Sequence, residues 1–174
     1  MPTPLPQGFP EPTPAGIIEL KHYPQYRAVT YLHQGDLRVA NRVAFNPLFE
    51  HISSNQIAMT TPVEARYTVI SETPNAAENQ AEVSFLYGNP TINPDRIGPS
   101  VRVTTREPMA VVSIGIQGPY TWESYESNLK KLKDWLVEHP KYQMVGTPRR
   151  LFYHGPMTPE ALKMSEVQIP ISLS

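Results

Sequence analysis

Residues 18–35, IELKHYPQYRAVTYLHQG, are matched 83 positions later by residues 101–118, VRVTTREPMAVVSIGIQG. In this alignment Ile18 falls on Val101, Leu20 on Val103, Val29 on Val112, Tyr31 on Ile114, Gln34 on Gln117 and Gly35 on Gly118. Each stretch holds two runs rich in β-branched and aromatic residues, as strands require, with a proline turn between them, Tyr23-Pro24-Gln25 or Arg106-Glu107-Pro108. A glycine closes the second run and a helical pattern follows. The order strand, turn, strand, glycine, helix therefore occurs twice, as a duplication would leave it.

The second helical pattern is the plainer one. Trp122, Tyr125, Leu129, Leu132 and Leu136 recur at spacings of three and four and form one apolar stripe, while Glu126, Lys130, Lys133 and Asp134 fall on the opposite, solvated face. Thr121 is placed to cap its start, and Pro140 marks its end. The first helix is predicted over residues 37–53, with Val39, Phe45, Leu48, Phe49 and Ile52 as its apolar positions. Pro47 predicts either a kink or a restart with Asn46 as cap. Strands are predicted at 17–23, 26–33, 64–70, 81–87, 101–106, 110–116, 149–154 and 166–171, with turn-rich loops at 71–80 and 88–100. Eight strands and two helices in duplicated strand-strand-helix-strand-strand halves make an α+β domain, its helices packed against an antiparallel sheet.

The chain has 174 residues, enough for one domain with a substantial core. Fifteen Lys and Arg stand against 16 Asp and Glu and are scattered, so no phosphate-binding footprint is visible and nucleic acid is not expected as a partner. No cysteine is present, which excludes disulfides, thiolate metal sites and a cysteine nucleophile. No transmembrane segment is expected, because no apolar stretch approaches the roughly 18 to 20 residues that cross a bilayer. The chain reads as soluble, either cytoplasmic or exported after loss of a signal not present in it. Residues 1–16 begin MPTPLPQGFPEPTP, without the basic start and apolar centre of a signal peptide. They are expected to form a Pro-rich extended leader to a domain at 17–174, either a semi-rigid segment without a partner or a ligand of the SH3 type.

Met59-Thr60-Thr61-Pro62-Val63 resembles a signature of the SOUL haem-binding family. Glu19-Leu20-Lys21-His22-Tyr23 looks like that family's first strand, and residues 44–52, AFNPLFEHI, like its first helix. Arg106–Val111 is similar to its mid-chain turn and Ser165–Ile171 to its closing strand. The resemblance implies a distorted antiparallel eight-stranded barrel with two helices that binds haem or a related tetrapyrrole, and a fold shared with GyrI-like domains, which bind aromatic or cationic small molecules and in some members hydrolyse them.

Each candidate site residue has a ligand reading and a structural one. His22 stands where a histidine proposed to ligate haem iron stands in some SOUL members, and a neutral imidazole suits that role. A histidine beside Ile18 and Leu20 also fits as a hydrogen-bonded core or rim residue. Arg42, Phe45 and Phe49 share one helical face and match positions lining the proposed porphyrin groove. An arginine pairs with a propionate by forked hydrogen bonds while two phenylalanines give flat apolar contact, yet both rings could equally be core. Glu166 matches a carboxylate that recognises cations in GyrI-like relatives, with Tyr120 and Trp122 as walls of such a pocket. It also reads as a solvated rim group, and Trp122 as part of the core stripe.

His33, His51, His139 and His154 show no metal-binding spacing, and no nucleophile elbow, Walker loop or dinucleotide fingerprint appears. The sequence thus points to a binding protein rather than an enzyme, holding a planar apolar ligand between the first helix and the sheet. The rivals are a GyrI-like pocket built on Glu166, and an interaction module acting through the leader.

Overall fold

Among the described residues, nine strands and two helices follow the order that the repeat dictates: β1 (Ile18–Tyr23), β2 (Tyr26–Gln34), α1 (Ala40–Ser54), β3 (Val63–Thr68), β4 (Gln80–Leu86), β5 (Arg102–Arg106), β6 (Met109–Gln117), α2 (Trp122–Glu138), β7 (Tyr142–Met144), β8 (Arg149–Phe152) and β9 (Met164–Leu173). They come from a computed structural model that describes residues 3–69 and 73–173, so the predicted end of the third strand at Ile70 and the start of the 71–80 loop lie outside the described residues. The strands form one antiparallel sheet in the order β1-β6-β9-β8-β3-β4-β2-β5, with β7 paired to the end of β9. The sheet curls into a half-barrel, the α+β architecture expected from the duplication.

That order reads the same from both ends once the halves are equated. The first strand of each half leaves its own hairpin and pairs with the second strand of the other, β1 with β6 and β5 with β2. Leu20 faces Val112 in one contact and Val29 faces Val103 in the other, and shifting the sequence by 83 turns either pair into its counterpart. Gly35 and Gly118, also 83 apart, both hold positive φ, 114° and 127°, where other residues are strained. β3 and β8 meet in the middle, where Val63 faces Phe152.

The two helices cover one face of the sheet. α1 contributes Ala40, Ala44, Leu48 and Ile52, a buried stripe at every fourth residue, and α2 contributes Tyr125 and Leu132 against Val83, Val112, Ile114, Val167 and Ile169. Thr121 caps α2 as predicted, its hydroxyl accepting the Ser124 amide at 3.1 Å. α1 runs through Pro47 without restarting at Asn46, and the first residues of its predicted span form a separate 3₁₀ turn, Leu37–Val39, capped by Asp36. β7 goes beyond the eight expected strands. Among the described residues no helix is long and apolar enough to cross a membrane.

The opposite face is buried too, but by polar groups and the leader. Residues 3–16 run across it, with Phe9 edge-on to Tyr23 and Tyr26 at ring distances of 5.0 and 5.3 Å. The leader joins the sheet by a bridge from Ala15 to Gly115. Gly115 is required there, since a Cβ would overlap the carbonyl oxygens of Thr13 and Pro14. Beneath it lie two buried ion pairs, Lys21 with Glu166 at 2.9 Å and Arg149 with Glu64 at 2.7 Å.

A groove between helix one and the sheet

Close packing of Ala40 and Ala44 draws α1 onto the sheet and turns Arg42 and Phe45 towards a gap that neither helix covers. The gap is a groove of about 760 Å³. Val83 and Phe85 of β4 and the facing pair Val63 and Phe152 form its apolar floor, and Met59, Thr61 and Tyr120 border it. Thr61 precedes the cis peptide bond to Pro62 at the entry to β3. Thr3 of the leader completes one wall. A smaller cavity of about 240 Å³ lies near the C-terminal end of α1, beside His51 and the 96–101 loop.

Phe45 and Phe49 are not core. They are 47% and 48% exposed, stacked on each other at 5.6 Å, and Phe45 lies edge-on to Phe85 at 5.7 Å. Arg42 is exposed, and its guanidinium has no hydrogen bond or ion pair among the described residues. The groove therefore brings together Arg42, Phe45 and Tyr120, with Phe49 stacked just beyond. His22 stands apart from it, exposed on β1 opposite Ala110.

The basic side of the groove was not legible in the sequence. Besides Arg42 it carries Lys163 and His154, and among the described residues no Asp or Glu lines it. Lys163 bonds Glu160 at 2.9 Å and lies over the Tyr120 ring. The Nδ1 atom of His154 accepts the Met164 amide at 2.9 Å, which leaves the proton of the neutral ring on Nε2. His154 thus presents a hydrogen-bond donor, while Tyr120 is held by its own bonds to the Met164 carbonyl and the His154 amide.

Glu166 lies on the other face from Tyr120 and Trp122, so the three do not share a pocket. Trp122 packs against Tyr67 and Tyr125. Glu166 is fully buried and accepts from Thr13, Lys21, Ser113, Gln168 and Tyr153. Burial alone would push its carboxyl up, but Lys21 and the surrounding hydroxyls outweigh that and hold it below the usual carboxylate range. Glu64 behaves alike: burial raises it, and Arg149, Arg66 and the Tyr26 hydroxyl bring it below its ordinary value. Tyr153 is pushed well up by burial and by Glu166.

The model of the SOUL heme-binding protein family matches residues 13–170. No curated protein matches the chain. Among solved structures, the EcmrR C-terminal domain superposes with a TM-score of 0.73 at 13% identity, over 91% of this chain and 98% of that one. A hydrolase from Listeria innocua gives 0.63 at 10% identity, over 92% and 94%. The protein SAV2435, solved bound to tetraphenylphosphonium, gives 0.53 at 9% identity, over 90% and 94%. EcmrR and SAV2435 are GyrI-like, so the expected kinship of fold is seen. EcmrR has also been solved in a complex with DNA, where the match spans 58% of its chain. At such identities the likeness is one of fold, so the expectation about nucleic acid rests on the scattered basic residues alone. By family and fold this is a ligand-binding domain. Since the match runs from the end of the leader into β9 and takes in both halves of the repeat, the chain belongs to the SOUL heme-binding protein family.

Proposed function

We propose that the groove beside α1 binds a flat, largely apolar tetrapyrrole that carries carboxylates, haem being one such molecule. The observation that carries this reading is a space of about 760 Å³ with an apolar floor, a rim of Arg42, Lys163 and His154, and no carboxylate among the described residues that line it. The volume falls in the range of cofactor sites, and the aromatic side chains suit a planar guest. Arg42 is free to fork onto a propionate, and Nε2 of His154 is placed to donate a further hydrogen bond.

Haem fits this donor set as an amphiphile. Bound haem would supply its iron chemistry. Arg42 and His154 would hold its carboxylates, while Phe45 and Phe85 would exclude water from its faces. His154 offers no free lone pair in its neutral form, so affinity rests on the macrocycle and its acids more than on iron. The rim also disfavours aromatic cations, since none of the described residues that line the groove is a carboxylate able to neutralise them. The alternative pocket on Glu166 is filled from within by Lys21 and closed by the leader.

Titration of the protein with haem and with iron-free protoporphyrin, followed by absorbance, tests the reading. Both are expected to bind. Arg42→Ala should weaken the dicarboxylate porphyrin by roughly tenfold while leaving its dimethyl ester unaffected. Binding no tighter than to an unrelated protein of similar size would refute it.

A further inference from the structure

The leader reaches the groove as well as the far face of the sheet. Thr3 stands in the groove wall, held by the Thr61 amide donating to the Pro4 carbonyl at 2.9 Å and the Thr61 hydroxyl donating to the Thr3 carbonyl at 3.1 Å. The chain then crosses to the opposite face, where the Gln7 amide donates to the Gly88 carbonyl at 2.8 Å and Phe9 wedges beside Tyr23 and Tyr26. Lys21 donates to the Glu11 carbonyl at 2.8 Å, and Thr13 to Glu166 at 3.0 Å. No strand pairing holds residues 3–14. The first bridge is at Ala15.

What this segment covers is mixed: Phe9 sits on the apolar patches of Tyr23, Val111 and Leu151 and of Tyr26, Ala28 and Leu86, and the rest lies over buried ions. Lifting it exposes the apolar patch under Phe9 but returns water to ions whose burial was costly, so the hold concentrates on that one ring. Glu166 would keep Lys21, Ser113, Gln168 and Tyr153 as partners after Thr13 departs. A cover held without strand pairing, over a polar network that keeps its other partners, opens more readily than the core does.

We propose that residues 3–14 are a displaceable strap that gates the groove, latched by Phe9 in the notch between Tyr23 and Tyr26. The proposal rests on the groove being a ligand site, yet the gate can be read without any ligand. Because the chain has no cysteine, a single Met59→Cys in the groove lining reports access through its rate of thiol labelling. Adding Phe9→Ala should raise that rate on the order of tenfold, as expected for the loss of two ring contacts. It should also speed hydrogen exchange at the Thr61 amide, while the amides of Val83 and Ile169 stay protected. Gly115→Ala should act likewise by another route, its Cβ pressing on Thr13 and Pro14. Iron-free protoporphyrin should associate faster with both variants.

Labelling and Thr61 exchange unmoved by either substitution would overturn the gate. Parallel acceleration at every amide would overturn it too, making the leader an inseparable part of the fold. If labelling rises but no form binds porphyrin, the gate stands and the ligand reading of the groove falls.

Discussion

Glu166 keeps its charge at full burial because five donors converge on it, from the leader, β1, β6, β9 and the residue after β8. Replacing it by Gln would leave the Lys21 ammonium buried without a counter-charge, at a cost of about 3 to 5 kcal/mol in unfolding free energy by urea titration at neutral pH. The pH dependence has a definite sign. The carboxyls of Glu166 and Glu64 are held below their ordinary value of 4.5, so the stability they confer is fully present above that value and drains away as pH falls through the lower folded values. Urea midpoints measured from neutral pH down into the acid range should therefore drop below about pH 4.5. In the Glu166→Gln protein the drop should be shallower, because only Glu64 of the two still titrates. Equal slopes in both proteins would show that Glu166 is not charged in the fold.

Between residues and fold stand the elements, and they were unevenly legible. α2 could be read because its large apolar residues mark the buried stripe and Thr121 its start. Thr121→Ala should cost about 1 kcal/mol, measured as a shift in urea midpoint with unchanged slope, and no shift would mean the cap bond is idle. α1 misled because its buried positions include Ala40 and Ala44, too small to register as a hydrophobic signal, while its loudest residues, Phe45 and Phe49, face outward. The same inversion marks the groove, since large aromatic side chains left half exposed are what a flat ligand needs. Arg42 and Phe45 were named from family resemblance rather than from periodicity. Phe85 and Phe152 went unnamed and His154 was weighed only as a metal ligand, because only the pairing of β3 with β4 and β8 brings such distant segments together. β7, three residues long, is too short for any alternation to show. The polar face under the leader was hidden for another reason: its residues look solvated one at a time, and only the strap makes them buried.

The whole molecule is two copies of one unit that exchange their first strands. β1 finds its partner in the second half and β5 in the first, and the groove floor uses Val63 from one half and Phe152 from the other. Neither half can then satisfy its own backbone: a first half ending in the 88–100 loop leaves β1 unpaired and opens the edges of β2 and β3. Expressed alone, each half should give poorly dispersed NMR spectra. Mixed, the two should rebuild one dispersed spectrum, as the exchanged strands close both edges at once. A ligand bound as proposed, across the floor that both halves build, would bind only the assembled pair, so iron-free protoporphyrin should lower the concentration at which the halves join, by mass action. A first half that folds unaided would mean that the exchanged strand is dispensable, and that the register shared by the two contacts is a relic of duplication rather than a condition of stability.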